Sequence, residues 1–164
     1  MVDHEAMQLA LEQAELAYAV GEVPVGAIVL DAQGQLIGKG FNQTIGQHDP
    51  TGHAEIIALR EAARHVGNYR LPGAKLYVTL EPCIMCIGAM LHARLDRIVY
   101  GATDPKTGAC GSVLSVHEVA QLNHHTTVEG GVMALECGEL LRRFFRERRA
   151  QAKNHMNKLA QPQG

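Results

Sequence analysis

Two short fragments of the chain carry the side chains best suited to chemistry, His53-Ala-Glu55 and Pro82-Cys-Ile-Met-Cys86. Each comes at the start of a predicted helix, where the helix dipole favours a thiolate over a thiol. One imidazole and two thiolates would give a zinc ion three protein ligands and leave its fourth tetrahedral position open for water, as in a catalytic site. The Cys-x-x-Cys spacing alone is also consistent with thiol redox chemistry.

Glu55 is better placed to move protons than to bind the metal. Residues two apart on a helix do not face the same side, so we do not expect His53 and Glu55 to be ligands of one ion. A carboxylate beside a zinc-bound water could instead take its proton and deliver it to a leaving group. The ordered combination of His-x-Glu and Pro-Cys-x-x-Cys matches the known signature of zinc nucleobase deaminases.

The elements that must position these fragments follow from apolar periodicity and turn residues. In chain order we predict a helix over 4–19, strands over 25–30 and 36–41, a helix over 53–66, a strand over 75–80, a helix over 82–92, strands over 97–102 and 126–132, and a helix from 134 to about 156. Thr51 is the predicted N-cap of the second helix, and Pro82 the first residue of the third. The order predicts an α/β fold, a three-layer α/β/α sandwich with a mixed five-stranded sheet.

Length and composition are those of an ordinary globular protein. The 164 residues fit one domain with a hydrophobic core, which we expect to span 1–164 with a frayed tail over 157–164. No stretch approaches the ~20 apolar residues that span a bilayer, and the N-terminus lacks the pattern of a secretion signal. We therefore expect a cytoplasmic protein without a membrane partner, in which Cys110 and Cys137 are small core residues.

Charge is distributed unevenly along the chain, although the net charge is only −2. Residues 142–164 contain seven Lys or Arg and one acid, whereas residues 1–141 contain eight basic and sixteen acidic residues. A basic C-terminal helix on an acidic body indicates a polyanionic partner. The alternative is an ordinary solvated helix face.

Six further segments are distinctive together: Val23-Pro-Val-Gly-Ala27, Gly40-Phe-Asn42, His48-Asp-Pro-Thr-Gly-His-Ala-Glu55, Tyr77-Val-Thr-Leu-Glu-Pro-Cys83, the stretch from Gly101 to Ser112, and the Arg-rich C-terminal helix. With these segments the chain resembles bacterial tRNA-specific adenosine deaminases over nearly its whole length, from about Ala6 to Lys153. The resemblance implies one deaminase domain of the CMP/dCMP type with a cytidine deaminase-like fold. It also implies hydrolytic deamination of adenosine to inosine at wobble position 34 of an arginine tRNA, bound through its anticodon stem-loop.

The same resemblance implies the roles of individual residues. His53, Cys83 and Cys86 would bind one Zn²⁺ per subunit of a homodimer, and Glu55 would be the proton shuttle for a zinc-activated water that attacks C6. The residues that would bind the substrate are Asn42 at the base, Asp104 and Lys106 at sugar or phosphate, Phe145 stacked on an unpaired base, and Arg146, Arg148 and Arg149 at phosphates. The alternatives are a turn residue for Asn42, a plain surface loop over 104–112, and burial of both Phe144 and Phe145 in the core.

Three other functions remain open at this point. A deaminase of a free base, nucleoside or nucleotide would share the zinc site and Glu55 without needing the basic helix. A thiol–disulfide oxidoreductase would use Cys83 and Cys86 but would leave His53 and Glu55 unexplained. A zinc module that only binds RNA would not depend on Glu55 for its activity.

Overall fold

The computed structural model describes residues 1–162. Its helices are α1 (Asp3–Ala19), α2 (Ala54–Val66), α3 (Ile84–His92) and α4 (Ala134–Leu159), and its strands are β1 (Gly26–Leu30), β2 (Leu36–Phe41), β3 (Lys75–Leu80), β4 (Arg97–Ala102) and β5 (Thr127–Glu129). A short 3₁₀ turn over Val116–Glu118 was not predicted. Within residues 1–162 we find no helix with both the length and the apolarity needed to cross a bilayer.

The five strands form one mixed sheet in the order β2-β1-β3-β4-β5. β1 runs antiparallel to β2 and to β3, while β3, β4 and β5 are parallel. The end of β2, the start of β1 and the ends of β3 and β4 therefore meet at one edge of the sheet. The chemically important fragments follow these strand ends, so this topology gathers them at that edge.

Helices cover both faces of the sheet, which confirms the predicted three-layer architecture. α1 and α4 pack on one face, where Met7 of α1, Cys137 of α4 and Ile28 of β1 belong to one buried cluster. α2 and α3 pack on the other, where Ala58 and Met90 join a second buried cluster. Because both faces are covered, every residue of β1 is buried, and it appears in the sequence as a continuous apolar run.

A glycine lets α2 lie directly on β2. A Cβ atom on Gly40 would lie 2.6 Å from the carbonyl oxygen of Ala54 and 2.7 Å from the amide nitrogen of Ala58. Any larger residue would therefore push the helix away from the strand. The close contact places the first turn of α2, and with it His53 and Glu55, beside the end of β2.

Two details of the helix starts differ from the prediction. Thr51 does not cap α2, because its hydroxyl bonds to Asp49 at 2.7 Å and the residue before the helix is His53. Pro82 is not the first residue of α3, because Cys83 is still extended and the helix begins at Ile84. In both places the chain stays extended for longer than expected, and a metal-binding side chain occupies the position before the helix.

The C-terminal elements differ in length from the prediction. β5 covers only Thr127–Glu129, because Gly130 and Gly131 follow and Gly131 adopts a φ of +95° that strands do not use. α4 continues to Leu159, three residues beyond Met156 and into the tail expected to fray. Residues 163–164 of that tail lie outside the described part of the chain.

Candidate metal centre and active-site cavity

His53, Cys83 and Cys86 come together between the first turns of α2 and α3. His53 and Cys83 are the residues immediately before the two helices, and Cys86 lies in the first turn of α3. The Nδ1 atom of His53 is 3.6 Å from the Sγ atom of Cys83 and 3.5 Å from that of Cys86. The sequence fragments that are 30 residues apart in the chain therefore form one cluster.

The cluster fits the ligand set of a catalytic zinc site. Its three donor atoms all lie within 4.8 Å of one another. One imidazole nitrogen and two thiol sulfurs suit zinc, and three protein ligands leave one tetrahedral position free. Cys86 is fully buried, whereas His53 and Cys83 are partly exposed, so access to the cluster is from the side of those two residues.

The thiols and the imidazole form a polarised group. The pKa of the Cys83 thiol is lowered to about 4, mainly by the hydrogen bond with Cys86 and also by the contact with His53, which together outweigh burial. The hydrogen bond with Cys83 raises the pKa of Cys86, and burial raises it again. The hydrogen bond with Cys83 also raises the pKa of His53. A thiolate at Cys83 is the form that binds a cation.

Glu55 is a buried acid beside the cluster. Glu55 is 4% exposed and is the second residue of α2, close to His53. Burial is the main cause that raises the pKa of its carboxyl above the ordinary value. A carboxyl group whose pKa is raised toward neutral can both give and take a proton.

A cavity of about 270 Å³ opens over this cluster. Its lining consists of Val23, Val25, Asn42, Thr44, His53, Glu55, Leu80, Glu81, Cys83, Asp104 and Thr107. The lining combines apolar side chains with polar groups and includes His53 and Cys83 of the metal-binding cluster. Such a mixture is typical of a small-molecule site.

One wall of the cavity is formed where β2 ends. Asn42 is 8% exposed, and its backbone N–H donates to the carbonyl oxygen of Val25 at 3.1 Å. The buried carboxylate of Glu22 accepts hydrogen bonds from the amide of Gly46 at 2.7 Å and from the hydroxyl of Thr44 at 3.4 Å. These contacts hold the segment after β2 against the segment before β1.

The opposite wall is the loop after β4, residues 104–112. Asp104 lies at the cavity, but its carboxylate accepts hydrogen bonds from within the loop: from the amides of Lys106 at 3.0 Å and Thr107 at 3.1 Å, and from the Thr107 hydroxyl at 2.8 Å. The side chain therefore closes a tight turn. Contact between Asp104 and RNA stays a prediction.

The buried carboxylate of Glu81 accepts hydrogen bonds from the same loop. Burial raises the pKa of Glu81, but the hydrogen bonds from Ser112 and from three backbone amides outweigh burial and lower it below the ordinary value. Glu81 therefore lies in the cavity wall as a charged carboxylate that is already supplied with donors.

The other predicted substrate-binding residues lie outside the cavity lining. Lys106 is exposed on the loop, and Phe145 is 44% exposed with its ring edge-to-face against buried Phe144. Two of the three arginines already have contacts: Arg146 pairs with Glu139 at 3.0 Å, and Arg148 lies over the Phe144 ring and donates to the carbonyl oxygen of Gly21. Arg149 is exposed further along α4. Whether these residues bind RNA stays a prediction.

Sequence reasoning assigned no role to several residues of the cavity. Val23, Leu80 and Thr44 line it, and Glu22 and Glu81 are the two buried carboxylates that hold its walls. The one available signal for Glu81 was an acid between a continuous apolar strand and the Pro82-Cys83 pair. An acid at that position has to be buried together with the strand end.

Comparison with known proteins agrees with this geometry. Residues 1–102 match the family described as the cytidine and deoxycytidylate deaminase zinc-binding region. The chain is 51% identical to the tRNA-specific adenosine deaminase of Haemophilus influenzae over 92% of this chain and 87% of that protein. It is 40% identical to the tRNA-specific adenosine deaminase of Bacillus subtilis, over 92% and 93% of the two chains.

A solved structure from a study of A-to-I editing by tRNA:A34 deaminases superposes on this fold with a TM-score of 0.80. The two are 42% identical, and the match covers 84% of this chain and 99% of that chain. These matches are to deaminases and not to thiol oxidoreductases. The chain belongs to the zinc-binding cytidine and deoxycytidylate deaminase family and, within it, to the tRNA-specific adenosine deaminases.

Proposed function

We propose that this protein hydrolyses adenosine to inosine and ammonia at wobble position 34 of tRNA. The observation that carries the proposal is a His/Cys/Cys cluster beside a cavity that His53, Cys83 and the buried carboxyl of Glu55 line together. The sequence identity with tRNA-specific adenosine deaminases supports adenosine within tRNA, and not a free nucleoside, as the substrate.

In this proposal His53, Cys83 and Cys86 hold one zinc ion. When bound there, zinc supplies a water molecule that is activated for attack at neutral pH. Glu55 would move the protons: it takes one from the attacking water and delivers it to N1 of adenine, and it then takes the C6 hydroxyl proton of the addition product and delivers it to the exocyclic amine, which leaves as ammonia. Its burial supports this role, because a raised pKa makes the carboxylate a stronger proton acceptor for the attacking water.

Asn42 is proposed to orient the base. Its amide offers both a donor and an acceptor to a purine edge, and Asn42 lines the same cavity as Glu55 and His53. Asp104 and Lys106 would meet sugar or phosphate, Phe145 would stack on an unpaired base, and Arg146, Arg148 and Arg149 would contact phosphates. The support for these contacts is the basic, exposed character of α4 and the position of the 104–112 loop at the cavity.

The finer features of the proposal rest on family membership. The substrate is the anticodon stem-loop of an arginine tRNA with adenosine at position 34. The enzyme is a cytoplasmic homodimer in which each chain, residues 1–164, forms one deaminase domain with one zinc ion. Sedimentation of the zinc-loaded protein tests the assembly: a monomer at micromolar concentration would contradict the homodimer.

The test of function is inosine formation. Purified zinc-loaded protein is incubated with an RNA anticodon hairpin that carries adenosine at the wobble position, and with free adenosine and cytidine as competing substrate classes. We expect inosine from the hairpin with the wild type and none with Glu55→Ala, although Glu55→Ala keeps its zinc. Turnover of a free nucleoside, with no turnover of the hairpin, would replace the tRNA assignment while preserving the zinc chemistry.

A further inference from the structure

Glu81 lies outside the metal-binding cluster, yet it is one of the most completely buried charged groups of the protein. The residue is 2% exposed and follows β3 directly, two positions before Cys83. Its backbone N–H continues the sheet pairing by donating to the carbonyl oxygen of Ala102 at 2.8 Å. The side chain is therefore fixed at its base by the sheet, at the edge where the cavity opens.

Both oxygens of the Glu81 carboxylate accept hydrogen bonds from the 104–112 loop. Oε1 accepts from the amide of Asp104 at 3.1 Å and from the hydroxyl of Ser112. Oε2 accepts from the amides of Cys110 and Ser112, each at 3.1 Å. One side chain thus ties both ends of the loop to the end of β3.

The loop is also shaped to fit this carboxylate closely. A Cβ atom on Gly108 would lie 2.3 Å from Oε2 of Glu81 and 2.5 Å from the carbonyl oxygen of Asp104, so glycine is required for the contact. A further hydrogen bond, from the Ala109 amide to the Pro82 carbonyl oxygen at 2.8 Å, joins the loop to the residue before Cys83.

All four donors face the carboxylate, and no Lys, Arg or His among residues 1–162 forms an ion pair with it. The negative charge is compensated by three oriented backbone amides and one hydroxyl, as in an anion-binding nest. An amide side chain at this position would aim its NH₂ group at one pair of donors. The Ser112 hydroxyl can reverse to accept from that NH₂ group, but the Asp104 amide would lose its partner.

We propose that Glu81 is a positioning residue for the deamination: it holds the 104–112 loop against the metal-binding segment, so that Asp104 and Thr107 form the cavity wall that receives the nucleotide. The inference rests on the proposed function, because it concerns the same cavity and substrate. Glu81 acts through the loop and does not itself take part in proton transfer.

The test is Glu81→Gln in the full-length, zinc-loaded protein, with the anticodon hairpin as substrate. We expect KM for the hairpin to rise about tenfold, because a buried hydrogen bond is lost from the binding wall, while kcat per zinc changes little. Amide hydrogen exchange should accelerate across residues 104–112 and stay unchanged in β3 and β4. A merely structural defect would instead lower the active fraction, which reduces apparent kcat and leaves KM unaltered.

Three further variants make the test specific. Ser112→Ala removes only the hydroxyl bond and keeps the three amide bonds, so it should raise KM less than Glu81→Gln does. Glu22→Gln removes the buried carboxylate of the opposite wall and should accelerate exchange near Gly46, not in the 104–112 loop. Gly108→Ala pushes the loop off the carboxylate, so it should mimic Glu81→Gln, and the double variant should be no worse than either single one.

Unchanged KM in Glu81→Gln, or equal exchange of the loop in wild type and variant, would overturn the proposal. So would loss of zinc from Glu81→Gln, which would show that the residue supports the metal-binding segment instead of the loop. If wild-type protein forms no inosine from the hairpin, the proposed function fails. The exchange measurement then still decides whether Glu81 holds the loop.

Discussion

Arg97 and Asp3 form a two-pronged ion pair that ties the start of α1 to the start of β4. Nη1 of Arg97 is 2.7 Å from Oδ1 of Asp3, and Nη2 is 2.7 Å from Oδ2. The Tyr77 hydroxyl donates to the same carboxylate at 2.7 Å, which links β3 as well. The pair anchors α1 to the sheet end opposite the cavity, so it can be tested for stability without touching the active site.

This ion pair predicts a pH-dependent contribution to stability. The hydrogen bond from Arg97 lowers the pKa of Asp3 to about 2, below its value of 3.8 in the unfolded chain. A lowered folded-state pKa stabilises the protein above pH ~4, and the contribution disappears as pH falls through about 2. The side chain is about one-third exposed, so we expect Asp3→Asn to cost about 1 kcal/mol at pH 7.

The measurement is urea unfolding of wild type and Asp3→Asn between pH 7 and pH 2.5. The difference between the two should be constant above pH 5 and shrink below pH 4. Glu129→Gln is the control, because Glu129 is the more exposed partner of the same Arg97 and its removal should cost less. A wild-type advantage that persists undiminished at pH 2.5 would contradict the assignment to Asp3.

We expect substitutions of Asn42 to impair recognition of the base, by an amount that depends on whether the new side chain can donate a hydrogen bond. In Asn42→Asp an acceptor oxygen replaces the NH₂ donor, so a purine ring nitrogen facing it would be repelled. We expect kcat/KM for the hairpin to fall about 10- to 100-fold, more in Asn42→Asp than in Asn42→Ala, with zinc content unchanged. Wild-type kcat/KM in both variants would show that Asn42 is only a turn residue.

The metal cluster could be predicted from sequence because all of its ligands lie in two short motifs. His53, Cys83 and Cys86 each lie beside a recognisable helix start, and only the approach of the two helices had to be supplied by the fold. The layered architecture was predictable for a similar reason. Continuous apolar strands such as β1 require helices on both faces.

Contacts between distant residues could not be predicted in this way. Glu81 receives its donors from residues 23 to 31 positions later in the chain, so the local sequence can place an acid at a buried strand end but cannot show which groups bind it. Arg148 contributes to a basic stretch in the sequence, but in the fold it donates to the Gly21 carbonyl and covers Phe144. The sequence gives the number of charged side chains, but only the tertiary structure shows which of them already contact other groups of the protein.

We expect the removal of zinc to increase the reactivity of one cysteine, Cys83, before that of the others. Cys83 is partly exposed, whereas Cys86, Cys110 and Cys137 are all buried. With zinc bound, Cys83 should resist iodoacetamide, and after chelation it should be alkylated before the other three. Chelation should also lower the thermal midpoint, because the ion binds the folded protein.

Mass spectrometry of the alkylated protein before and after chelation distinguishes the four sites, and zinc added back before the reagent is the control. The zinc-ligand assignment predicts that bound zinc protects Cys83, the cysteine on the exposed side of the cluster, from alkylation. Equal alkylation of Cys83 with and without zinc would contradict that assignment.

The basic face of α4 predicts a salt-dependent contribution to RNA binding that differs between neighbouring arginines. Arg149 is exposed, so Arg149→Ala should weaken hairpin binding and reduce the slope of log K against log salt by about 1. Arg146 already pairs with Glu139 at 3.0 Å, so Arg146→Ala should change the slope less, because the arginine must leave its partner to reach a phosphate. Filter binding of the hairpin at several salt concentrations measures both variants. An unchanged slope in Arg149→Ala would show that this part of α4 does not meet the RNA backbone.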